Sequence, residues 1–306
     1  MIRRLLAFTL TALLALPLDA LAAPTKKPAT TAAKSATSSS KPKTSSSSKV
    51  TKRDVPEAFP AIVETGPPTI HAAAAIVLDA QTGKVLFEYN ADEARAVAST
   101  QKLLTGLIIA EEGGLDESVE VEASDTYAEP SKLYIKANES YQRGKLLQIL
   151  LVKSMNDVAC CLARDSAGSV PAFAEKMNAR AVQLGMRTSN FVNPNGLPAP
   201  GQYSTARDMS KVAMAAYRNR TIRSIVSQKS VTWRYNDGRV KTFPSTNQVL
   251  KKWPLCNGMK TGYTNAAGHC LISSASADGR DVIAVVLGDK KVWDDSYRLL
   301  SWALSS

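Results

Sequence analysis

Three short motifs in this sequence hold a hydroxyl group next to a lysine or an amide. In the first, Ser99-Thr100-Gln101-Lys102, the serine and the lysine are three residues apart and would share one face of a helix. A serine at a helix start lies near free backbone N–H groups and the positive end of the helix dipole. The lysine could take the serine proton, but only if burial or a second cation lowers its pKa. The spacing alone is weak, because a capping serine and a solvated lysine give the same pattern.

The other two motifs supply further polar groups at the ends of predicted elements. Ser154-Met155-Asn156 follows an apolar run and precedes a helical stretch, so its hydroxyl and amide could both face a cleft. Lys260-Thr261-Gly262 precedes a predicted strand-to-strand turn. A cation and a hydroxyl there suit a ligand with a carboxylate, and the glycine lets that ligand approach the backbone. Each motif alone also fits a structural role, whereas the three in this order are far more specific.

The pattern of apolar residues predicts the elements that must hold these motifs together. Residues 72–79 and 84–89 are two β-prone runs joined by a hairpin turn. A helix is expected from Ser99 to Gly113-Gly114, residues 144–220 are expected to form several helices, and the last third returns to strands. We therefore expect an α+β fold. Its antiparallel sheet is covered by helices, with a helical region inserted between the N-terminal and C-terminal strands.

Local signals mark the starts of three helices. Pro171 suits the first turn of one helix. Thr205 and Asp208 have the spacing of a capping box at the start of another. We expect Asp294 or Asp295 to cap the final helix.

The positive charge of the chain lies mostly in its N-terminal segment. The 306 residues carry a formal net charge of +11, of which residues 1–55 account for +8 and the remainder for +3. The folded part therefore lacks the excess of basic residues that marks a nucleic-acid-binding protein, and no nucleic acid partner is expected. The two histidines, His71 and His269, do not form an HExxH pattern, so we expect no metal site.

Residues 1–22 have the features of a signal peptide. Arg3 and Arg4 precede an apolar run over 5–18, and Ala20-Leu21-Ala22 offers the small residues that a signal peptidase needs. The run is short for a membrane span, and no cysteine follows it to carry a lipid anchor. We expect an exported protein of the periplasm or cell envelope, with an uncleaved N-terminal anchor as the alternative.

Residues 23–58 are predicted to be a disordered tether. They are rich in Ser, Thr, Lys, Pro and Ala and contain too few large apolar residues to offset the entropy of ordering the chain. The segment is either a plain spacer or a basic tail that adheres to an anionic polymer of the envelope. The folded domain is expected over residues 67–306.

Taken together, the three motifs resemble those of the serine penicillin-recognising enzymes. The surrounding sequence closely resembles the low-molecular-mass D-alanyl-D-alanine carboxypeptidases of peptidase family S11 over roughly residues 70–306. The segments that carry this resemblance are 154–157, 173–178, 184–186, 195–197, 204–209 and 258–264. It implies a fold of the β-lactamase and DD-peptidase type.

The resemblance implies a reaction as well as a fold. Ser99 would attack the carbonyl of the terminal D-Ala-D-Ala bond of a peptidoglycan stem peptide, while Lys102 takes the serine proton. Lys260 would favour the neutral form of Lys102. Ser154 would relay a proton to the leaving amine, and Asn156 would orient Lys102 and the substrate.

The third motif would hold the end of the substrate. Lys260 and Thr261 would bind it, and Gly262 and Tyr263 would complete that side of the site. By similarity, the backbone N–H groups of Ser99 and Tyr263 would form the oxyanion hole. Penicillins would mimic the substrate and acylate Ser99, and the resemblance implies neither a metal nor an organic cofactor.

Two departures from the family pattern concern the C-terminal part of the sequence. Many relatives carry a β-rich domain and an amphipathic anchor helix after the catalytic domain, and we expect neither here, so no C-terminal membrane anchor is expected. Some relatives also carry an arginine before the final helix that reads the terminal carboxylate. The matching segment, 288–293, has none, and Lys290 or Lys291 could substitute.

Other residues near the motifs are expected to be structural. We expect His269 to be an ordinary strand residue and Cys160 and Cys161 to be buried thiols. Cys256 and Cys270 are expected on neighbouring strands but with an offset in register, so we do not expect a disulfide between them.

Three alternative functions are considered. An S11 endopeptidase, which cuts peptidoglycan cross-links, would carry the same motifs. A class A β-lactamase shares the motifs and the fold, but the E-x-x-L-N loop that carries its deacylating glutamate is absent from this sequence. A catalytically inactive wall-binding protein would be favoured by a missing motif residue, and none is missing.

Overall fold

A five-stranded antiparallel sheet with helices on both faces organises this protein, as seen in a computed structural model that describes residues 58–60 and 66–306. The predicted signal peptide and all but the last residue of the predicted tether lie outside the described residues. The strands are β1 (Ala74–Asp79), β2 (Val85–Tyr89), β3 (Ser118–Glu120), β4 (Ser140–Gln142), β5 (Ser230–Arg234), β6 (Val240–Pro244), β7 (Cys256–Thr264), β8 (Gly268–Ala277) and β9 (Arg280–Asp289). The α-helices are α1 (Lys102–Glu112), α2 (Arg143–Lys153), α3 (Asn156–Ala167), α4 (Val170–Gln183), α5 (Ala206–Arg218), α6 (Arg220–Val226), α7 (Gln248–Lys252) and α8 (Val292–Ser305).

The order of strands in the sheet is β2-β1-β9-β8-β7, so the first and last parts of the domain meet in its middle. The predicted hairpin between β1 and β2 is confirmed, and the carboxylate of Asp79 accepts the backbone N–H groups of Gln81 and Thr82 in its turn. The other two strand pairs, β3-β4 and β5-β6, form separate two-stranded sheets. The predicted insertion of a helical region between the two sets of strands is also confirmed.

Two hydrophobic cores cover the two faces of the sheet. The larger core joins β-strand residues such as Ile76 and Ile272 to the inserted helices α1 to α6. The smaller core joins the opposite face to α7 and α8, where Leu299 and Leu300 are fully buried. Because strands β8 and β9 are covered on both sides, their side chains are buried almost without alternation.

The predicted cap of α5 is confirmed in part, whereas that of α8 is wrong. The hydroxyl of Thr205 accepts the backbone N–H of Asp208, but the Asp208 carboxylate binds the N–H of Thr188 instead of closing a capping box. Helix α8 begins at Val292, so Asp295 lies inside its first turn. The carboxylate of Asp289, which lies before the helix, accepts the N–H of Lys291.

The four cysteines are free thiols. Cys256 lies opposite Ala275 and Cys270 lies opposite Gly262, so the expected offset in register is confirmed. Cys161 is fully buried, as predicted, whereas Cys160 is only partly buried, which corrects that part of the prediction. Over the part of the chain that the structure describes, no helix is both long and apolar enough to cross a membrane.

Candidate active site

Ser99 lies in a 3₁₀ turn, Ala98–Gln101, that leads directly into α1. The turn is tightly constrained, since the buried Ala98 has a positive φ of 48°, which is unusual for a residue with a side chain. Two glycines from other parts of the chain pack closely against the backbone of this turn. A Cβ atom on Gly196 would lie 2.5 Å from the carbonyl carbon of Ala98, and one on Gly262 would lie 2.8 Å from the backbone nitrogen of Ser99. Glycine is therefore required at both positions to let the backbone approach the serine.

Lys102, the first residue of α1, links the serine to two other segments. Its Nζ atom lies 2.9 Å from Ser99 Oγ, 2.6 Å from Asn156 Oδ1 and 2.5 Å from the carbonyl oxygen of Asn195. The side chain is completely buried. Burial, followed by the positive charge of Lys260, holds the pKa of Lys102 well below its usual value. The neutral amine is therefore favoured, and its two N–H groups can point to the Asn156 and Asn195 oxygens while its lone pair faces Ser99 Oγ.

Lys260 is a second buried lysine, from the middle of β7. Its side chain is 1% exposed, and its Nζ donates a hydrogen bond to the carbonyl oxygen of Thr261 at 2.9 Å. Burial lowers the pKa of Lys260 to about 7. Part of the positive charge near Lys102 is therefore itself sensitive to pH.

Ser154 and Asn156 enter the site at the junction of α2 and α3. Ser154 follows the last residue of α2 and adopts the left-handed conformation, with a φ of 71°, which turns the chain so that Asn156 starts α3. The Asn156 amide donates to the carbonyl oxygen of Pro130, and the carboxylate of Asp157 accepts the backbone N–H groups of Leu133 and Tyr134. The start of α3 thus fixes the loop that forms one wall of the site.

A cavity of about 560 Å³ brings the predicted residues together. The predicted site residues that line it are Ser99, Ser154, Asn156, Thr261, Gly262 and Tyr263. Lys102 and Lys260 are fully buried beside it and reach it through their hydrogen bonds. All eight residues nominated from the three motifs therefore belong to one constellation.

Several residues of the site were missed by sequence reasoning. The hydroxyl of Thr246 lies 2.6 Å from that of Thr261, and no sequence motif marks it. Asn195 contributes its backbone carbonyl, a group that every residue has, so only its place in a segment shared with the S11 family could have drawn attention to it. Lys132, Lys153 and Trp293 also line the cavity.

The structure does not place either candidate substitute for the missing arginine at the cavity. Lys290 and Lys291 are not among the residues that line this cavity. Lys291, the residue before α8, instead lines a separate cavity with His71 and Asp295. His269 is a strand residue as expected, but it also lines the active-site cavity, since its register places it opposite Tyr263.

Within the described residues, no group of three or more His, Cys, Asp or Glu side chains is arranged to hold a metal ion. The side chains at the centre of the site are two lysines, two serines and an amide. This set suits acyl transfer through a serine, with a neutral amine as the base.

Comparison with known proteins identifies the family. The profile of peptidase family S11, described as D-alanyl-D-alanine carboxypeptidase, matches residues 61–291. The chain therefore belongs to the S11 family, as its motifs indicated. The fold is that of the penicillin-binding DD-peptidases, which confirms the predicted class.

Individual relatives include proteins named for two activities. The chain is 33% identical over 222 residues to the D-alanyl-D-alanine carboxypeptidase DacF of Bacillus subtilis, a match that covers 71% of this chain and 57% of that protein. It is 32% identical over 244 residues to the D-alanyl-D-alanine endopeptidase of Escherichia coli, covering 77% of this chain and 78% of that one. The structure of the D-alanyl-D-alanine carboxypeptidase DacD of Francisella tularensis superimposes with a TM-score of 0.75 at 28% identity, over 81% of this chain and 73% of that one.

Proposed function

We propose that this protein is a serine-type D-Ala-D-Ala carboxypeptidase that removes the terminal D-Ala of peptidoglycan stem peptides. The observation that carries the proposal is the contact of 2.9 Å between Ser99 Oγ and the buried Nζ of Lys102, whose neutral form is favoured. A serine becomes a nucleophile when a base takes its proton, and a neutral lysine can do so at neutral pH. Membership of the S11 family supports the same activity.

Acylation begins when Ser99 Oγ attacks the carbonyl carbon of the terminal D-Ala-D-Ala bond and its proton passes to Lys102 Nζ. The negative charge that develops on the carbonyl oxygen is stabilised by the backbone N–H groups of Ser99 and Tyr263. Gly262 supports this assignment, because its missing side chain lets β7 approach the Ser99 turn closely. Each such donor contributes about 2.7–4 kcal/mol to the transition state.

The leaving group then departs as an amine. The proton held by Lys102 passes through the Ser154 hydroxyl to the amide nitrogen, the C–N bond breaks, and D-Ala is released. A water molecule next attacks the acyl-enzyme, giving its proton to Lys102, which returns it to Ser99. Asn156 keeps Lys102 in position throughout, since its amide oxygen accepts from Nζ and its amide nitrogen is fixed on Pro130.

An S11-type endopeptidase, which cuts peptidoglycan cross-links, is the second candidate. The match to the E. coli protein of that name covers more of the partner's length than does the match to DacF, 78% against 57%. Both activities use the same chemistry at the scissile bond, so the difference lies in the leaving group: a terminal D-Ala in one case and a cross-linked peptide in the other.

The test of the proposal is covalent labelling and then product analysis. A fluorescent penicillin should label the protein, and Ser99→Ala should remove the label. Mass spectrometry should then find loss of one D-Ala from a stem pentapeptide. Cleavage confined to a cross-linked dimer would favour the endopeptidase, and labelling that persists at another serine in the Ser99→Ala variant would refute the assignment.

We further propose that the enzyme acts in the periplasm or cell envelope after export by residues 1–22. Residues 23–58 would then tether the domain, and their basic charge suits adhesion to an anionic envelope polymer. Limited trypsin should remove this segment and leave full hydrolysis of a soluble peptide. Binding to isolated cell walls that survives its removal would exclude adhesion through the tail.

A further inference from the structure

His269 lines the active-site cavity, where its ring packs against another aromatic ring but its ring nitrogens have no hydrogen-bond partner among the described residues. It lies on β8 directly opposite Tyr263 on β7, and the two ring centroids are 4.5 Å apart at an interplanar angle of 34°. Its side chain is exposed and lines the same cavity as Ser99. No residue in the described ranges, 58–60 and 66–306, forms a hydrogen bond or an ion pair with its ring nitrogens. Packing therefore positions the imidazole while leaving its N–H free for a ligand.

The strand register sets this ring close to the reacting bond. Gly262, which approaches the backbone nitrogen of Ser99, pairs with Cys270, the residue after His269. Directly opposite residues of antiparallel strands have Cα atoms about 4.5–5.5 Å apart. His269 is thus one step along the ladder from the contact with the nucleophile. The carboxylate of the leaving residue lies only three covalent bonds beyond the carbonyl carbon that Ser99 attacks.

The other cations around the cavity are less suited to that carboxylate. Lys132 is paired with Glu129 at 2.9 Å. Lys260 is buried and donates to a backbone carbonyl, and Lys290 and Lys291 are not among the lining residues. Lys153 is the remaining candidate for binding the carboxylate, because it also lines the cavity, next to Ser154 in the chain.

We propose that His269 determines specificity by donating a hydrogen bond to the carboxylate of the leaving residue, together with the Thr261 hydroxyl. This inference rests on the proposed function, because it assigns a role in the same reaction. His269 would favour substrates whose leaving residue carries a free carboxylate, such as a terminal D-Ala. It would take the place of the arginine that the sequence lacks.

The experiment compares a diacetylated Lys-D-Ala-D-Ala peptide with its C-terminal amide. His269→Phe keeps an aromatic ring against Tyr263 but removes both ring nitrogens. We expect the acid-to-amide ratio of kcat/KM to fall by about 10- to 100-fold in His269→Phe, which corresponds to one lost hydrogen bond to a charged group. His269→Arg should recover most of the ratio, because a guanidinium binds carboxylates well. Lys153→Gln removes the charge of another residue that lines the cavity and should leave the ratio unchanged.

A second readout separates this inference from the proposed function. Acylation of Ser99 by benzylpenicillin and by its methyl ester requires no peptide hydrolysis, and the acid-to-ester ratio should fall in the same variants. An enzyme that is acylated by penicillin but hydrolyses neither peptide would refute the proposed carboxypeptidase activity. The acid-to-ester ratio for penicillin would still test the role of His269 in that case. Equal losses for acid and neutral compounds in His269→Phe, or an unchanged ratio, would overturn the inference. If the acid-to-ester ratio falls in Lys153→Gln and not in His269→Phe, Lys153 is the residue that binds the substrate carboxylate.

Discussion

Replacing Gly196 by alanine should disable the nucleophile without unfolding the protein. Gly196 has a φ of 80°, and a Cβ atom there would lie 2.5 Å from the carbonyl carbon of Ala98 and still closer to its oxygen. Carbon atoms in contact are normally about 3.5–4.0 Å apart. The turn that carries Ser99 must therefore move by about 1 Å.

The size of the effect follows from that displacement. A misplacement of about 1 Å at a reacting group costs about 100-fold in rate. An alanine in the left-handed conformation also costs about 1–2 kcal/mol of stability, whatever its surroundings. The acylation rate of the folded variant should therefore fall by more than its loss of stability alone would explain.

Gly201→Ala is the matched control, because Gly201 has nearly the same φ, 78°, in the same loop region. The nearest atom to a Cβ there is the Asn190 side-chain nitrogen at 3.7 Å, an ordinary contact. Both variants should show a lower melting temperature, but only Gly196→Ala should lose the rate of labelling by a fluorescent penicillin. A folded Gly196→Ala protein that is acylated at the rate of Gly201→Ala would refute the reasoning.

Three further predictions concern ionisable groups. Lys102→Arg should lose penicillin acylation because arginine keeps its proton; retained acylation would identify another base. Lys260→Met removes a charge that helps burial to lower the pKa of Lys102, so the acid limb of the acylation rate should move to higher pH; an unmoved limb would contradict the coupling. Burial and Asp295 raise the pKa of Asp289 to about 6, so the native state binds this proton more tightly than the unfolded state. The contribution of Asp289 to stability should therefore be lost as pH rises from about 4 through 6. Relative to the unmodified protein, Asp289→Asn should remove this downward contribution to the melting temperature over that range; an unchanged difference in melting temperature between the two proteins would exclude Asp289 as the cause.

The sequence predicted those features that depend on residue types at short spacing. The β1-β2 hairpin and the start of α1 at the Ser99 motif follow from turn and helix signals within a few residues. Only the order of the motifs indicated that Ser99, Asn156 and Lys260 lie in one site. The segments that meet there are more than 50 residues apart in the chain, as in the contact between Lys102 and Asn156. Composition and periodicity alone place no such contact.

The features that sequence reasoning missed depend on tertiary contacts that leave no local signal. The cap of α8 was misassigned because the helix begins at Val292, so Asp294 and Asp295 lie inside its first turn, whereas a capping residue lies before the helix. The position of His269 depends on the register of β7 and β8. Both strands are largely buried runs, so their alternation does not reveal which residue faces the cavity.

The burial of Lys102 connects the stability of this site to its chemistry. A buried amine whose hydrogen bonds are unmade costs about 1–3 kcal/mol for each missing partner. The oxygens of Asn156 and Asn195 remove that cost, and they do so without a negative charge that would raise the pKa again. Asn195 precedes Gly196 in the chain. The loop that accepts a hydrogen bond from Lys102 is therefore also the loop that packs against the Ser99 turn. One segment thus supplies a hydrogen-bond acceptor for Lys102 and also limits the position of the nucleophile, which is why a single methyl group at Gly196 should affect acylation so strongly.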